Sequence, residues 1–184
     1  MWFVINPIGR SGYVYTIRNS GGRNKERLLL ISGPYAHLNY AYSSKYKIPT
    51  DPYNKLALSF HYYIPELFTT QPYEESWFGK EKWGSDGDYN ELITNFESLK
   101  KTFVDKGIPI IIGEIGVLTN GNKDISSIRE YLYAVFSISA EYNGIMPCLW
   151  DTSNKTIGNM NYYNRETNEW YDEKIRNNFM EIFI

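Results

Sequence analysis

The residue most able to do chemistry is Glu114, near the end of the run Gly107-Ile108-Pro109-Ile110-Ile111-Ile112-Gly113-Glu114-Ile115-Gly116. A carboxylate at the end of a buried strand is costly unless it is partnered, and Glu is seldom buried without one. The flanking glycines remove side chains, which lets a ligand or another backbone approach. Glu114 therefore reads either as a reactive carboxylate or as a structural one satisfied by a backbone or arginine hydrogen bond. His61 and Tyr63 end another apolar run, Leu56 to Tyr63, and their spacing puts them on one face of a strand. An imidazole and a phenol there can orient and hydrogen-bond a carboxylate on the adjacent strand. Taken alone, a satisfied histidine and a packed tyrosine is the commoner arrangement. Trp150 closes a further run, with Asp151 after it. An indole at a strand end can offer its plane to the C–H face of a sugar ring, or it can fill the core. Trp77 and Trp83 carry the same two readings, leaning to packing or loop anchoring.

The elements that must hold these side chains alternate. Near-continuous apolar runs at Leu28–Gly33, Leu56–Tyr63, Ile108–Ile115 and Ile145–Trp150 suit strands covered on both faces, as in parallel sheets. Pro147 weakens the last by one ladder hydrogen bond. Leu92, Phe96, Leu99 and Phe103 recur at helical spacing, with Asp88 and Glu91 resembling a capping box and Gly107 a C-terminal stop. Ile125, Ile128, Leu132, Val135 and Phe136 form a second stripe, with Gly144 beyond it. Ile175, Phe179, Ile182 and Phe183 form a third, and Val14–Ser20 before Gly21-Gly22 reads as the tail of an earlier helix. Such an order predicts right-handed βαβ units in an α/β fold. Residues 64–87 make a long connection rich in Pro, Trp and Tyr; Phe68, Trp77, Phe78 and Trp83 argue against disorder there.

Composition removes several functions. The chain has 184 residues, which suits one domain, and 19 Lys+Arg against 21 Asp+Glu give a net charge of −2. With both signs spread along the sequence, neither a nucleic acid nor a membrane surface is an expected partner. No 18-residue apolar stretch is present, and the first residues lack the basic head and apolar run of a signal peptide. Cys148 is the only cysteine, and His37 and His61 are the only histidines. These exclude an internal disulfide or a cysteine-built zinc cluster and leave little for a histidine metal site. Chemistry here falls to carboxylates, tyrosines and tryptophans. Asn154-Lys155-Thr156 fits the glycosylation acceptor pattern, which is common by chance.

Taken together, the ordered set resembles glycoside hydrolase family 5, in its endo-β-1,4-glucanase (cellulase) branch, including xyloglucan-active relatives. The set is His61-Tyr62-Tyr63 with Pro65 and Phe68, then Trp83-Gly84-Ser85, then Gly107 to Gly116, then Trp150-Asp151. Ile17-Arg18, Gly21-Gly22, Asn24 and Arg27-Leu28 resemble the helix-to-strand step before that family's fifth strand. The resemblance runs from about Val14 onward. It implies a (β/α)8 TIM barrel that hydrolyses β-glucans with retention of configuration. Carried over by position, Glu114 matches the nucleophile on the seventh strand, and His61 and Tyr63 match the sixth-strand pair around it. Trp150 matches the eighth-strand platform under the sugar, and Trp83 would line the cleft. No cofactor or metal is implied, because the reaction needs only carboxylates and water. A β-glucan is the implied partner and an extracellular site of action the implied location.

One departure is large. The family's acid/base glutamate lies in an Asn-Glu-Pro motif that this sequence does not contain; Asn90-Glu91-Leu92 begins a helix and cannot replace it. An arginine expected early in the barrel is missing too. The expectation is therefore a partial catalytic domain over residues 1–184, holding the C-terminal half (strands 5–8) of the barrel and lacking the N-terminal half. A complete barrel takes about 250 residues. Two open sheet edges would invite self-association or require the other half. Three functions follow: an endoglucanase present as a weak or inactive fragment, a non-catalytic glucan-binding half-barrel, and a fragment active only once complemented.

Overall fold

The computed structural model describes residues 7–42, 47–74, 78–152 and 158–183. Trp77 and the Asn154-Lys155-Thr156 triplet lie outside them. In chain order the elements are α1 (Pro7–Asn19), β1 (Leu29–His37), α2 (Leu38–Ala41), β2 (Leu56–Tyr62), α3 (Glu66–Thr69), α4 (Asp86–Thr102), β3 (Ile110–Ile115), α5 (Ile125–Glu141), β4 (Ile145–Leu149), a hairpin of β5 (Tyr163–Asn164) and β6 (Glu169–Trp170), and α6 (Glu173–Phe183). The four long strands form one parallel sheet in the order β1-β2-β3-β4. The four sequence runs thus become four strands.

Period 2 divides the sheet into unequal faces. Ile31, Leu58, Ile110 and Ile145 lie side by side across all four strands, and all are buried. This face packs on α4 through Leu92, Phe96 and Leu99, and on α5 through Ile128, Leu132, Val135 and Phe136. Ile125, expected in the α5 stripe, is exposed at the first turn. The next row, Ser32, Ser59, Ile111 and Met146, belongs to the opposite face and ends on an exposed methionine. Pro147 sits on β4, at the edge of the sheet, where a missing N–H is tolerated.

Two expectations at element ends are corrected. The α4 capping box uses Ser85 and Asp88: the Asp88 N–H donates to Ser85 Oγ at 3.3 Å, and the Ser85 N–H donates to Asp88 Oδ2 at 3.0 Å. Asp88 is therefore the third residue of the helix rather than its cap, and Glu91 is exposed one turn inside. β1 also does not stop at Gly33-Pro34. Its pairing leaves off at Ser32 opposite Ser59 and resumes at His37 opposite His61.

The first helix is fastened by charge. Arg18 of α1 makes a two-pronged contact with Asp51, Nε–Oδ1 2.9 Å and Nη2–Oδ2 2.8 Å, with both side chains buried. It also donates to the carbonyls of Asn24, Arg27 and Lys55. The guanidinium holds the Asp51 carboxyl down at about 2. One arginine thereby fixes α1 to the turns that lead into β1 and β2.

Candidate active site at the strand ends

The site is made by a bulge. Phe60 pairs with Ile112, but the next residue of β2, His61, pairs with Glu114. From the other side, Ile112 pairs with Pro147 and Ile115 with Leu149, three steps on β3 against two on β4. The β2 register places the extra residue at Gly113, and the β4 register agrees in placing it between Ile112 and Ile115. In an unbroken strand Glu114 would share the helix-facing side with Ile110 and Ile112. The bulge turns it to the opposite side, beside His61, which is a common use of bulges next to active sites.

There the carboxylate finds its partners. Tyr63 donates its phenolic hydrogen to Glu114 Oε2 at 3.1 Å. His61 Nδ1 stands 3.2 Å from the same oxygen. The Glu114 side chain is 25% exposed and that of His61 36%, so the group lies open to a ligand rather than beneath packing. Burial, the Glu114 charge and this hydrogen bond together push the Tyr63 phenol far above its usual range. Tyr63 is thus a fixed donor at any ordinary pH.

Each partner is held in turn. The backbone of Tyr63 accepts from Thr69 Oγ1 at 2.6 Å, and Ile64 accepts from the buried Tyr131 hydroxyl at 3.1 Å. After Glu114, the Val117 N–H donates to the Tyr162 hydroxyl at 2.6 Å, which donates back to the Val117 carbonyl at 2.7 Å. Asp151 Oδ2 accepts from the N–H groups of Tyr162 and Tyr163 at 3.0 and 2.7 Å. The strand end bearing Glu114 and the one bearing Trp150 are therefore tied to one segment, 159–163. Gly116 completes the join: a Cβ there would lie 2.6 Å from Met160 Sδ and 3.4 Å from the Trp150 carbonyl. Sequence reasoning missed Met160 and Tyr162, which carry no motif; Asp151 was noticed only as Trp150's neighbour.

Trp150 follows β4 with its N–H donating to the Ile115 carbonyl at 2.8 Å, and it is 43% exposed. Trp83 differs from its expected place on the cleft wall. It is only 4% exposed, packed between a tilted Tyr89 ring at 4.7 Å and an edge-on Tyr131 ring at 5.4 Å, and its carbonyl accepts from Ser127 at 2.9 Å. Its ring serves the join of α4 and α5. No cluster of three or more metal-ligating side chains occurs among the described residues.

A parallel sheet with helices on one face and a carboxylate, an imidazole and a phenol at its C-terminal strand ends is the arrangement of a (β/α)8-barrel enzyme, here through four strands. Residues 11–156 match the family model described as Cellulase (glycosyl hydrolase family 5). The chain belongs to glycoside hydrolase family 5. It is 33% identical to Endoglucanase B of Ruminococcus albus, over 98% of this chain and 41% of that protein. It is 34% identical to Endoglucanase 1 of the same organism, over 91% of this chain and 39% of that protein. Among solved structures, a broad-specificity family 5 endoglucanase from an uncultured bovine rumen ciliate superposes with a TM-score of 0.88 at 51% identity, covering 94% of this chain and 52% of that one. A family 5 lichenase mutant from a Caldicellulosiruptor species, in complex with cellotetraose, gives a TM-score of 0.84 at 28% identity, covering 96% and 48%. The chain therefore spans about two-fifths of those curated relatives and about half of those solved barrels.

Proposed function

We propose that this chain supplies the nucleophile-bearing half of a retaining endo-β-1,4-glucanase that acts on cellulose or related β-glucans outside the cell. The observation that carries the reading is the convergence of Tyr63 and His61 on one oxygen of Glu114, with the exposed Trp150 on the next strand end. In this reading Glu114 Oε1 attacks the anomeric carbon as the glycosidic C–O bond breaks, and the leaving oxygen takes a proton from a second carboxyl. Water then hydrolyses the glycosyl-enzyme, giving up a proton to that second group. Tyr63 and His61 hold Oε2 and set the angle of attack, and Trp150 stacks under the ring being attacked.

Retaining cleavage places the two carboxyls about 5–5.5 Å apart. The sequence contains no Asn-Glu-Pro to provide the second. We assign the proton donor to the N-terminal strands of a complete barrel, so that residues 1–184 form a partial domain whose open edges pair with that half or with each other. Acid/base help is worth about 10²–10⁴-fold, and the chain alone is correspondingly weak on unactivated glucan.

A substrate with a good leaving group departs without that proton. Incubation with a 2-deoxy-2-fluoro-cellobioside carrying a good anomeric leaving group should raise the mass of the chain by one 2-deoxy-2-fluoro-cellobiosyl unit, on Glu114, as that leaving group departs, and Glu114→Gln should abolish the gain. Oligosaccharide binding with no covalent adduct would reject the nucleophile and leave a glucan-binding half-barrel.

A further inference from the structure

The interruption in β1 builds a surface beside the proposed nucleophile. Four residues, Gly33 to Ala36, occupy the gap between Ser32 opposite Ser59 and His37 opposite His61, where β2 has only Phe60. Tyr35 and Ala36 adopt left-handed backbone, φ 55° and 51°, although neither is glycine. Such conformations cost energy, cluster at ligand sites, and re-aim side chains at barrel rims. Here they turn Tyr35 out until it is 78% exposed, its ring 5.9 Å from that of Tyr40, itself 44% exposed.

A polar pair stands next to these rings. The Asn39 N–H donates to His37 Nδ1 at 3.2 Å, which in the neutral ring leaves the hydrogen on Nε2. His37 Nε2 then donates to Glu66 Oε1 at 3.2 Å. His37 is also in register with the site: His37, His61 and Glu114 lie side by side on three successive strands. At about 4.8 Å per strand, His37 is about 10 Å from Glu114 along the sheet.

We infer that Tyr35, Tyr40, His37 and Glu66 form a sugar subsite that takes a pyranose flanking the one attacked by Glu114. A pyranose has a C–H face and a rim of hydroxyls. The Tyr35 plane meets the first, and the Glu66 carboxylate and His37 imidazole meet the second. The inference rests on the proposed function and extends it along the glucan chain, through residues on the first and second strands rather than the third and fourth.

Calorimetric titration of the full chain with cellotetraose and with cellobiose tests it. Tyr35→Ala should weaken cellotetraose binding about five-fold or more and cellobiose binding less, while Tyr35→Phe stays within about two-fold of the parent. Tyr35→Gly should melt higher than the parent, because glycine relieves the left-handed strain, and still bind as weakly as Tyr35→Ala. Unchanged cellotetraose affinity in Tyr35→Ala, with loss in Trp150→Ala, overturns the subsite and spares the proposed function. Equal weakening for both sugars overturns the flanking position. No cellotetraose binding by the parent chain overturns both readings.

Discussion

Tyr63 and Glu114 are 51 residues apart in sequence and meet at 3.1 Å, the phenol donating to Oε2. Parallel strands place the pair on adjacent ends, and the extra residue at Gly113 gives Glu114 the face of its partner. A hydrogen bond to a charged acceptor is worth about 1.5–3 kcal/mol. The bond holds the other carboxylate oxygen on the line of attack, so Tyr63→Phe should misalign Glu114 and slow glycosyl-enzyme formation about 10–100-fold. Adduct formation followed by mass spectrometry over time checks this, and an unchanged rate would remove Tyr63 from the site.

The strands, the stripe of α4 and the Glu114–His61–Tyr63 group were legible because each follows from periodicity or from a resemblance carried by short local motifs. The bulge was not, since Ile110, Ile112 and Glu114 obey period 2 and only Gly113 marks the break. For Trp83 the residue alone leaned to packing and the resemblance to the cleft wall; an indole gives the same signal in both places, and only the arrival of Tyr89 and Tyr131 decides for packing. The hairpin β5–β6 is two residues per strand, too short for any alternation to register. The cap of α4 was misread by one turn because Asp88 and Glu91 imitate the spacing that Ser85 and Asp88 satisfy.

That cap makes a discriminating pair of variants. Asp88 accepts from Gly84 N–H at 3.1 Å, Ser85 N–H at 3.0 Å and Ser85 Oγ at 2.8 Å, and it is ion-paired with Lys80. Asp88→Ala should destabilise the chain by about 1–2 kcal/mol. Glu91→Ala, on the exposed side of the helix, should stay within about 0.5 kcal/mol. Urea titration of both decides which residue terminates the helix.

The Arg18–Asp51 pair predicts acid sensitivity. The folded carboxyl titrates at about 2, below its ordinary 3.8. A depressed carboxyl contributes stability that is complete above the unfolded value and disappears as pH falls toward the folded one, here between about 4 and 2. The contribution is on the order of 2 kcal/mol. The stability gap between the parent and Asp51→Asn should narrow across that window and stay constant above it. Arg18→Ala leaves the carboxylate buried without its partner and should cost about 3–5 kcal/mol at neutral pH. A gap that does not change between pH 5 and 2 would assign the pair no role in stability.

Gly116 tests whether the two strand ends act as one unit. Its missing side chain lets Met160 close over the backbone, with the Tyr162 hydroxyl 3.3 Å and the Trp150 carbonyl 3.4 Å from where a Cβ would be. The thioether is the flexible neighbour and must move first, because the carbonyl belongs to the strand end and the hydroxyl is held by Val117. Gly116→Ala should cost about 1–3 kcal/mol as overpacking, and Met160→Ala in the same chain should recover part of that loss by opening the space. If Glu114 and Trp150 are set by this shared segment, the single variant should also weaken cellotetraose binding, and the double variant should restore it. Recovery of stability without recovery of binding would separate the packing of the join from the alignment of the site.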